Sequence, residues 1–133
     1  MAQGGHFSEP DPSARPITTI NFGSGYLKGY FVTDSLTLGD PEEDGDSMKV
    51  PDWTFGLVFE QTSFNKNYDA IIGLAFPGFA EPGVTPFMDA LMQAKVLDQN
   101  VFTFSMSMNP DEESMLQFGA IDPDSYTGEI TYY

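Results

Sequence analysis

Asp40, Glu42, Asp44 and Asp46 stand at alternate places in an acidic stretch, DPEEDGDS, as oxygen ligands for a hard cation would, with Gly45 at the sixth position where such a loop turns. Such a loop needs a bidentate Glu at its twelfth position and helices on both flanks. The twelfth position here is Pro51, and neither flank has a helical pattern, so a solvated acidic turn is expected. His6 is the single histidine and there is no cysteine. That leaves no imidazole–thiolate set for zinc and little prospect of a Ser-His-Asp relay. No metal and no cofactor are expected. The remaining stretch with chemical promise is INFGSG, Ile20 to Gly25, followed by YLKGYFVTDSLTLG. Two runs rich in β-formers flank a Gly-Ser-Gly tip, the pattern of a hairpin that reaches over something.

The elements that would position such a hairpin can be read along the chain. Residues 1–16 are rich in Pro, Gly, Ser and acid and form an irregular lead-in. Strands are expected over Thr18–Phe22 and from Tyr26 to about Leu38, with a bend or bulge at Gly29. Trp53, Phe55, Leu57 and Phe59 alternate with Thr54, Gly56 and Val58, giving a strand with one apolar face. YDAIIGLAF, from Tyr68, is a continuous apolar run of the kind buried on both faces of a sheet. One helix is expected from Pro86 to Ala94 or Lys95, capped by Thr85. Phe87, Leu91 and Ala94 would line its inner side, with Asp89 and Gln93 outward. Residues 101–108 read as a further strand, and MLQFG and GEITYY as two more. The fold class is therefore all-β, mainly strands with one principal helix.

Composition narrows the partners. Twenty acidic residues against five basic ones give a net charge of −15 in 133 residues, which would repel a phosphate backbone; no nucleic acid is expected. With a sequence pI near 4.1, self-repulsion falls in acid, and an acidic working compartment would suit the chain, although solubility alone also explains the charge. Twelve Phe, six Tyr and one Trp suit sheets and clefts that hold extended peptides. No run approaches a membrane span, and MAQGGHFSEPDPSARP lacks the apolar core of a signal peptide. No Asn-X-Ser/Thr acceptor occurs.

Five stretches, taken in order, carry a resemblance. INFGSGYLKGYFVTDSLTLG resembles the flap hairpin and following strand of the pepsin-like aspartic proteases, and WTFGLVFEQTSF their next strand and loop. YDAIIGLAFP is similar to the family's acid, small residue, two apolar residues and Gly. GVTPFMDALMQAKVLDQNVFTFSM resembles its helix and next strand, and LQFGAIDPDSYTGEITYY its closing hairpin. The resemblance implies a pepsin-like acid protease fold, with residues 17–133 an incomplete amino-terminal lobe partnered by the second lobe of the same parent chain. It implies a peptide or protein substrate and a secreted, vacuolar or lysosomal setting. It also implies two catalytic Asp, each in an Asp-Thr/Ser-Gly turn, acting on a water as base and acid because close carboxylates cannot both ionise comfortably.

No such turn occurs in these residues: Asp34-Ser35 is followed by Leu36, Asp46-Ser47 by Met48 and Asp124-Ser125 by Tyr126. Asp69 is followed by Ala70 and Ile71, and a structural role at a strand entry suits it better than catalysis, with Gly73 allowing close strand approach. No catalytic residue is assigned, and both turns are expected outside the chain. By resemblance, Phe22, Gly23 and Ser24 are flap residues that bind the peptide, and Phe64, Tyr68 and Ile71 line the pocket beside the scissile bond. Phe22 departs from the family's usual Tyr, keeping the ring and losing the hydroxyl. The implied activity is an aspartic endopeptidase's; an inactive pepsin-fold binding protein or inhibitor is the alternative. The isolated chain is expected to show no peptidase activity between about pH 3 and 7, where carboxylate pairs titrate. Acid digestion of a denatured protein checks this, and cleavage sensitive to a transition-state inhibitor of aspartic proteases would overturn it.

Overall fold

β-branched and aromatic residues gather where extended backbone is needed, and strands dominate as expected. The structure is a computed structural model describing residues 15–23, 25–39, 47–62 and 69–132. Strands β1 (Thr18–Phe22), β2 (Gly25–Leu38) and β3 (Met48–Gln61) form one sheet in the order β1-β2-β3. Helix α1 (Phe87–Gln93) follows, then β4 (Phe102–Ser105) and β5 (Met115–Phe118), an antiparallel pair in register Phe102↔Phe118 to Ser105↔Met115. Short 3-10 turns occupy Pro77–Phe79 and Pro123–Ser125. The acidic turn at 40–46 lies outside the described residues. No described helix is long and apolar enough to cross a membrane.

The chain divides into two compact units. One comprises residues up to 34 with 54–71, and the other 35–53 with 72–133. In the first, Arg15 donates from its guanidinium to the Phe31 carbonyl at 3.0 Å and lies 5.7 Å from the centre of the Tyr30 ring. That hydrogen bond and cation–π contact tie the chain ahead of β1 to β2. The Thr33 and Thr54 hydroxyls meet at 2.9 Å across β2 and β3.

The second unit holds the core. Phe87 and Leu91 are 1% and 0% exposed, and with Val50, Met88 and Ala90 they form its buried cluster. The Phe87 ring is central: Trp53 packs on it at 5.3 Å between ring centres and Phe118 meets it edge-on at 5.8 Å. Phe87 and Leu91 thus sit on the inner face, as their spacing predicts, while Ala94 and Asp89 are only partly covered. Thr85 does not cap the helix. Pro86 occupies the N-cap position without a side-chain bond, and the Thr85 carbonyl accepts from Trp53 Nε1 at 2.9 Å. Packing the half-buried indole here calls for an acceptor for its N–H, and Thr85, just ahead of the helix, supplies it. At the other end Lys95 takes φ 57, the Lys95 N–H reaches the Met92 carbonyl, and the Val96 N–H reaches that of Leu91. This is a Schellman closure with Lys where Gly is usual, and it turns Val96 back onto the core.

Several expectations fail for one reason, the lack of strand partners among the described residues. The run from Ala70 to Phe76 is not a strand buried on both faces: Ile71, Ile72 and Phe76 are 56%, 38% and 82% exposed, and only Leu74 packs against the core. A Cβ at Gly73 would meet nothing within 4 Å, so no close strand approach occurs there. Asp69 is likewise exposed and heads no strand. The strand read over 101–108 is confined to Phe102–Ser105, and GEITYY forms none among its described residues. A run without a ladder partner is not part of a sheet, whatever its propensity. Phe87→Ala is expected to cost about 3–5 kcal/mol, the range for emptying an aromatic site in a packed core. An unchanged thermal melt would contradict the packing around that ring.

Candidate functional site

The hairpin begins with pairing. Thr18 lies opposite Gly29, Ile20 opposite Leu27 and Phe22 opposite Gly25, leaving Gly23 and Ser24 as a two-residue connection. Such loops require a first residue with positive φ so that the turn's twist matches the strands. Gly23 has φ 36, which a residue with a Cβ seldom adopts. Phe22 closes β1, so the backbone places Phe22 and Gly23 side by side at the tip.

The remaining site candidates are not brought together by the described residues. Ser24, Phe64 and Tyr68 lie outside them, as does the Phe22 side chain. Ile71 is 56% exposed on a segment without regular structure. Among the described residues, no group of three or more His, Cys, Asp or Glu could hold a metal ion.

What supports the hairpin is the far end of β3. The Thr62 N–H donates to the Tyr26 carbonyl at 3.0 Å, and the Tyr26 N–H donates to Thr62 Oγ1 at 3.2 Å. Tyr26–Thr62, Lys28–Glu60 and Thr33–Thr54 show numbers falling on β3 as they rise on β2, so the strands are antiparallel. The phenol of Tyr26 donates to Glu60 Oε1 at 2.5 Å, and Lys28 Nζ lies 3.4 Å from Glu60 Oε2. Gly29 pairs regularly with Thr18 of β1. Against β3 the register slips by one residue between Lys28–Glu60 and Thr33–Thr54, in keeping with the bend or bulge expected near Gly29. A Cβ there would collide with the carbonyl oxygen of Leu57, so Gly is what lets β2 lie against β3.

These contacts shift two protonation equilibria. The Tyr26 hydroxyl, and after it the Lys28 charge, hold the Glu60 carboxyl below its ordinary range. The hydrogen bond to Glu60, and then its negative charge, push the Tyr26 phenol upward. The contribution of Glu60 to stability is complete above the ordinary carboxylate range and is lost as pH falls through its lowered value. That of Tyr26 is complete below the ordinary phenol range and is lost as pH rises through its raised value.

Sequence reasoning did not single out Tyr26, Lys28, Glu60 or Thr62. Their link requires the antiparallel register of β2 and β3, and the only available signal was a like-sized pair of β runs with opposite charges near facing ends.

Comparison with known proteins decides the lineage. The profile of the eukaryotic aspartyl proteases matches residues 11–133. The chain belongs to the eukaryotic aspartyl protease family. It is 39% identical to cathepsin D of Chionodraco hamatus over 119 residues, covering 85% of this chain and 28% of that protein. It is 33% identical to mouse pepsin A-5 over 121 residues, 89% of this chain and 29% of that protein. Bovine pregnancy-associated glycoprotein 1 is 32% identical over 114 residues, 85% and 28% of the two chains. This aspartyl protease family chain thus spans under a third of the length of the curated relatives it matches. Its strands and single principal helix agree with a piece of the pepsin-like fold.

Gly29→Ala should separate β2 from β3 and cost about 1–3 kcal/mol, the usual penalty for forcing atoms into a closed contact. Urea denaturation measures it. A change below roughly 0.5 kcal/mol, the level of an ordinary surface substitution, would show that the approach is not tight.

Proposed function

We propose that residues 17–133 are part of the amino-terminal lobe of an aspartic endopeptidase, and that the hairpin tip covers the bound peptide. The observation that carries this reading is the two-residue hairpin INFGSG, with Gly23 at positive φ, in a chain of the aspartyl protease family. Gly23 and Ser24 would offer backbone groups to the substrate, and Phe22 a ring. Phe64, Tyr68 and Ile71 would line the pocket for a bulky apolar side chain. The parent would supply two Asp-Thr/Ser-Gly turns from outside these residues. One carboxylate would take a proton from water while its protonated partner polarises the peptide carbonyl, and the proton then passes to the leaving amine. Neither metal nor organic cofactor is needed for that exchange. Apolar surface at Phe76, Phe79, Met106 and Met108, 80% exposed or more, supports a lobe completed by other parts of the parent.

A second reading, a pepsin-fold binding protein without catalysis, is favoured by Phe22. The ring is retained for a peptide to pack on, while the hydroxyl that could steady a closed hairpin is absent.

A hybrid separates the two. Residues 17–133 replace the matching segment of an active cathepsin D. Inhibitor-sensitive cleavage of a denatured protein in acid is expected, with Phe22→Tyr raising kcat/KM about two- to tenfold, the worth of one regained hydrogen bond. A folded hybrid that binds the transition-state inhibitor without cleaving would favour the binding protein. A folded hybrid that does neither would overturn the assignment of the hairpin.

A further inference from the structure

We infer that Glu60 is a positioning residue for the hairpin, clamping the arm that follows the tip by gripping Tyr26 and Lys28 together. This deepens the proposed function and rests on its reading of the hairpin as the cover of a peptide site. Tyr26 follows Gly25, the partner of Phe22 at the tip, so a force on Tyr26 acts one residue from the turn. Glu60 engages it through one carboxylate oxygen and Lys28 through the other. The side chains of Lys28 and Glu60 are 37% and 46% exposed, so solvent protons reach the pair freely. The clamp supplements the paired bonds between Tyr26 and Thr62, one accepted by the Tyr26 carbonyl and one by the Thr62 hydroxyl, and the arms of the hairpin are otherwise held by the β1–β2 ladder.

Among the described residues, few other charges compete. β1, which pairs β2 on its other edge, reads TTINF and carries none. The described residues of β2 facing this end add only Lys28 and Tyr26, and the Phe59, Gln61 and Thr62 neighbours of Glu60 are uncharged. Protonating Glu60 therefore removes the ion pair outright and leaves Tyr26 a neutral acceptor, a weaker partner than a carboxylate. The lowered carboxyl of Glu60 means that this happens below the ordinary Glu range. The consequence is a hairpin held more firmly near neutrality than in acid, where the β1–β2 ladder and the Tyr26–Thr62 bonds remain.

Amide hydrogen exchange on the full 133-residue chain tests this without any demand for activity. After correction for intrinsic rates, protection of residues 18–28 should fall roughly two- to fivefold from pH 7 to about pH 3, the scale of an exposed ion pair with its hydrogen bond. Glu60→Gln should show the lower protection already at pH 7 and no further fall, while Lys28→Arg keeps the original profile. Residues 102–118 should not respond to any of these substitutions. If Glu60→Gln fails to fold, Lys28→Met removes the ion pair alone and should show part of the loss at pH 7 and a smaller fall in acid, since Tyr26 still holds Glu60. Original protection at pH 7 in Glu60→Gln, or in Lys28→Met where that variant stands in, would overturn the inference; so would an unchanged pH-dependent fall in either. In the cathepsin D hybrid, Glu60→Gln should raise KM about two- to fivefold near pH 6 with kcat little changed, because the competent hairpin is less populated. Altered exchange with an unaltered KM would overturn the positioning role. A hybrid inactive in every form counts against the proposed function, and the exchange comparison then decides the role of Glu60 by itself.

Discussion

The pairing of β2 with β3 is the constraint on which the rest of the chain depends. β2 is the middle strand and bonds to a neighbour on each edge. Both long strands run through both compact units. Where β2 begins, the pairing supports the hairpin through Tyr26 and Thr62. Toward its end, Leu36 and Leu38 with Met48, Val50 and Trp53 of β3 pack in the core around α1. The backbone approach depends on a missing side chain at Gly29, where the Leu57 carbonyl occupies the space of a Cβ. A methyl group there would meet backbone, so the backbone itself would have to shift.

Charge acts on this framework in two opposed senses. With −15 at neutral pH, lowering the pH relieves repulsion across the whole chain. The same protons reach Glu60, end its ion pair with Lys28 and weaken its bond from Tyr26. Acid thus relaxes the general electrostatic strain while weakening one local tether beside the hairpin tip. A similar logic applies at the turn after β4, where the Ser107 hydroxyl, and after it the Asn109 side-chain amide, hold the Glu112 carboxyl low. There the carboxylate closes a loop.

The isolated helix would be a poor folding unit. At seven residues it is shorter than the length at which helices persist in water, and it starts without a side-chain cap. Its stability comes from burying Phe87 and Leu91 against Trp53, Val50 and Phe118, so tertiary packing, not propensity, makes it a helix. The Schellman closure at Lys95 shows the same priority. A left-handed lysine is tolerated because it returns Val96 to the apolar cluster.

By itself the sequence determined the hairpin, the three strands around it, the helix and its two inward residues, because alternation, a Gly-bearing tip and an i, i+4 pair are local signals. Five ordered stretches also determined the family, since their joint spacing is far more specific than any one of them. Tertiary structure alone decided the fate of the Ala70–Phe76 run, which reads as a buried strand and lies open because no described strand pairs with it. It decided that Thr85 lends its carbonyl to Trp53 instead of its hydroxyl to the helix. It decided that Gly29 serves a close approach to the Leu57 carbonyl. It also brought Tyr26, Lys28 and Glu60 together across 32 or more residues of chain, a distance over which no local pattern in a sequence specifies contact.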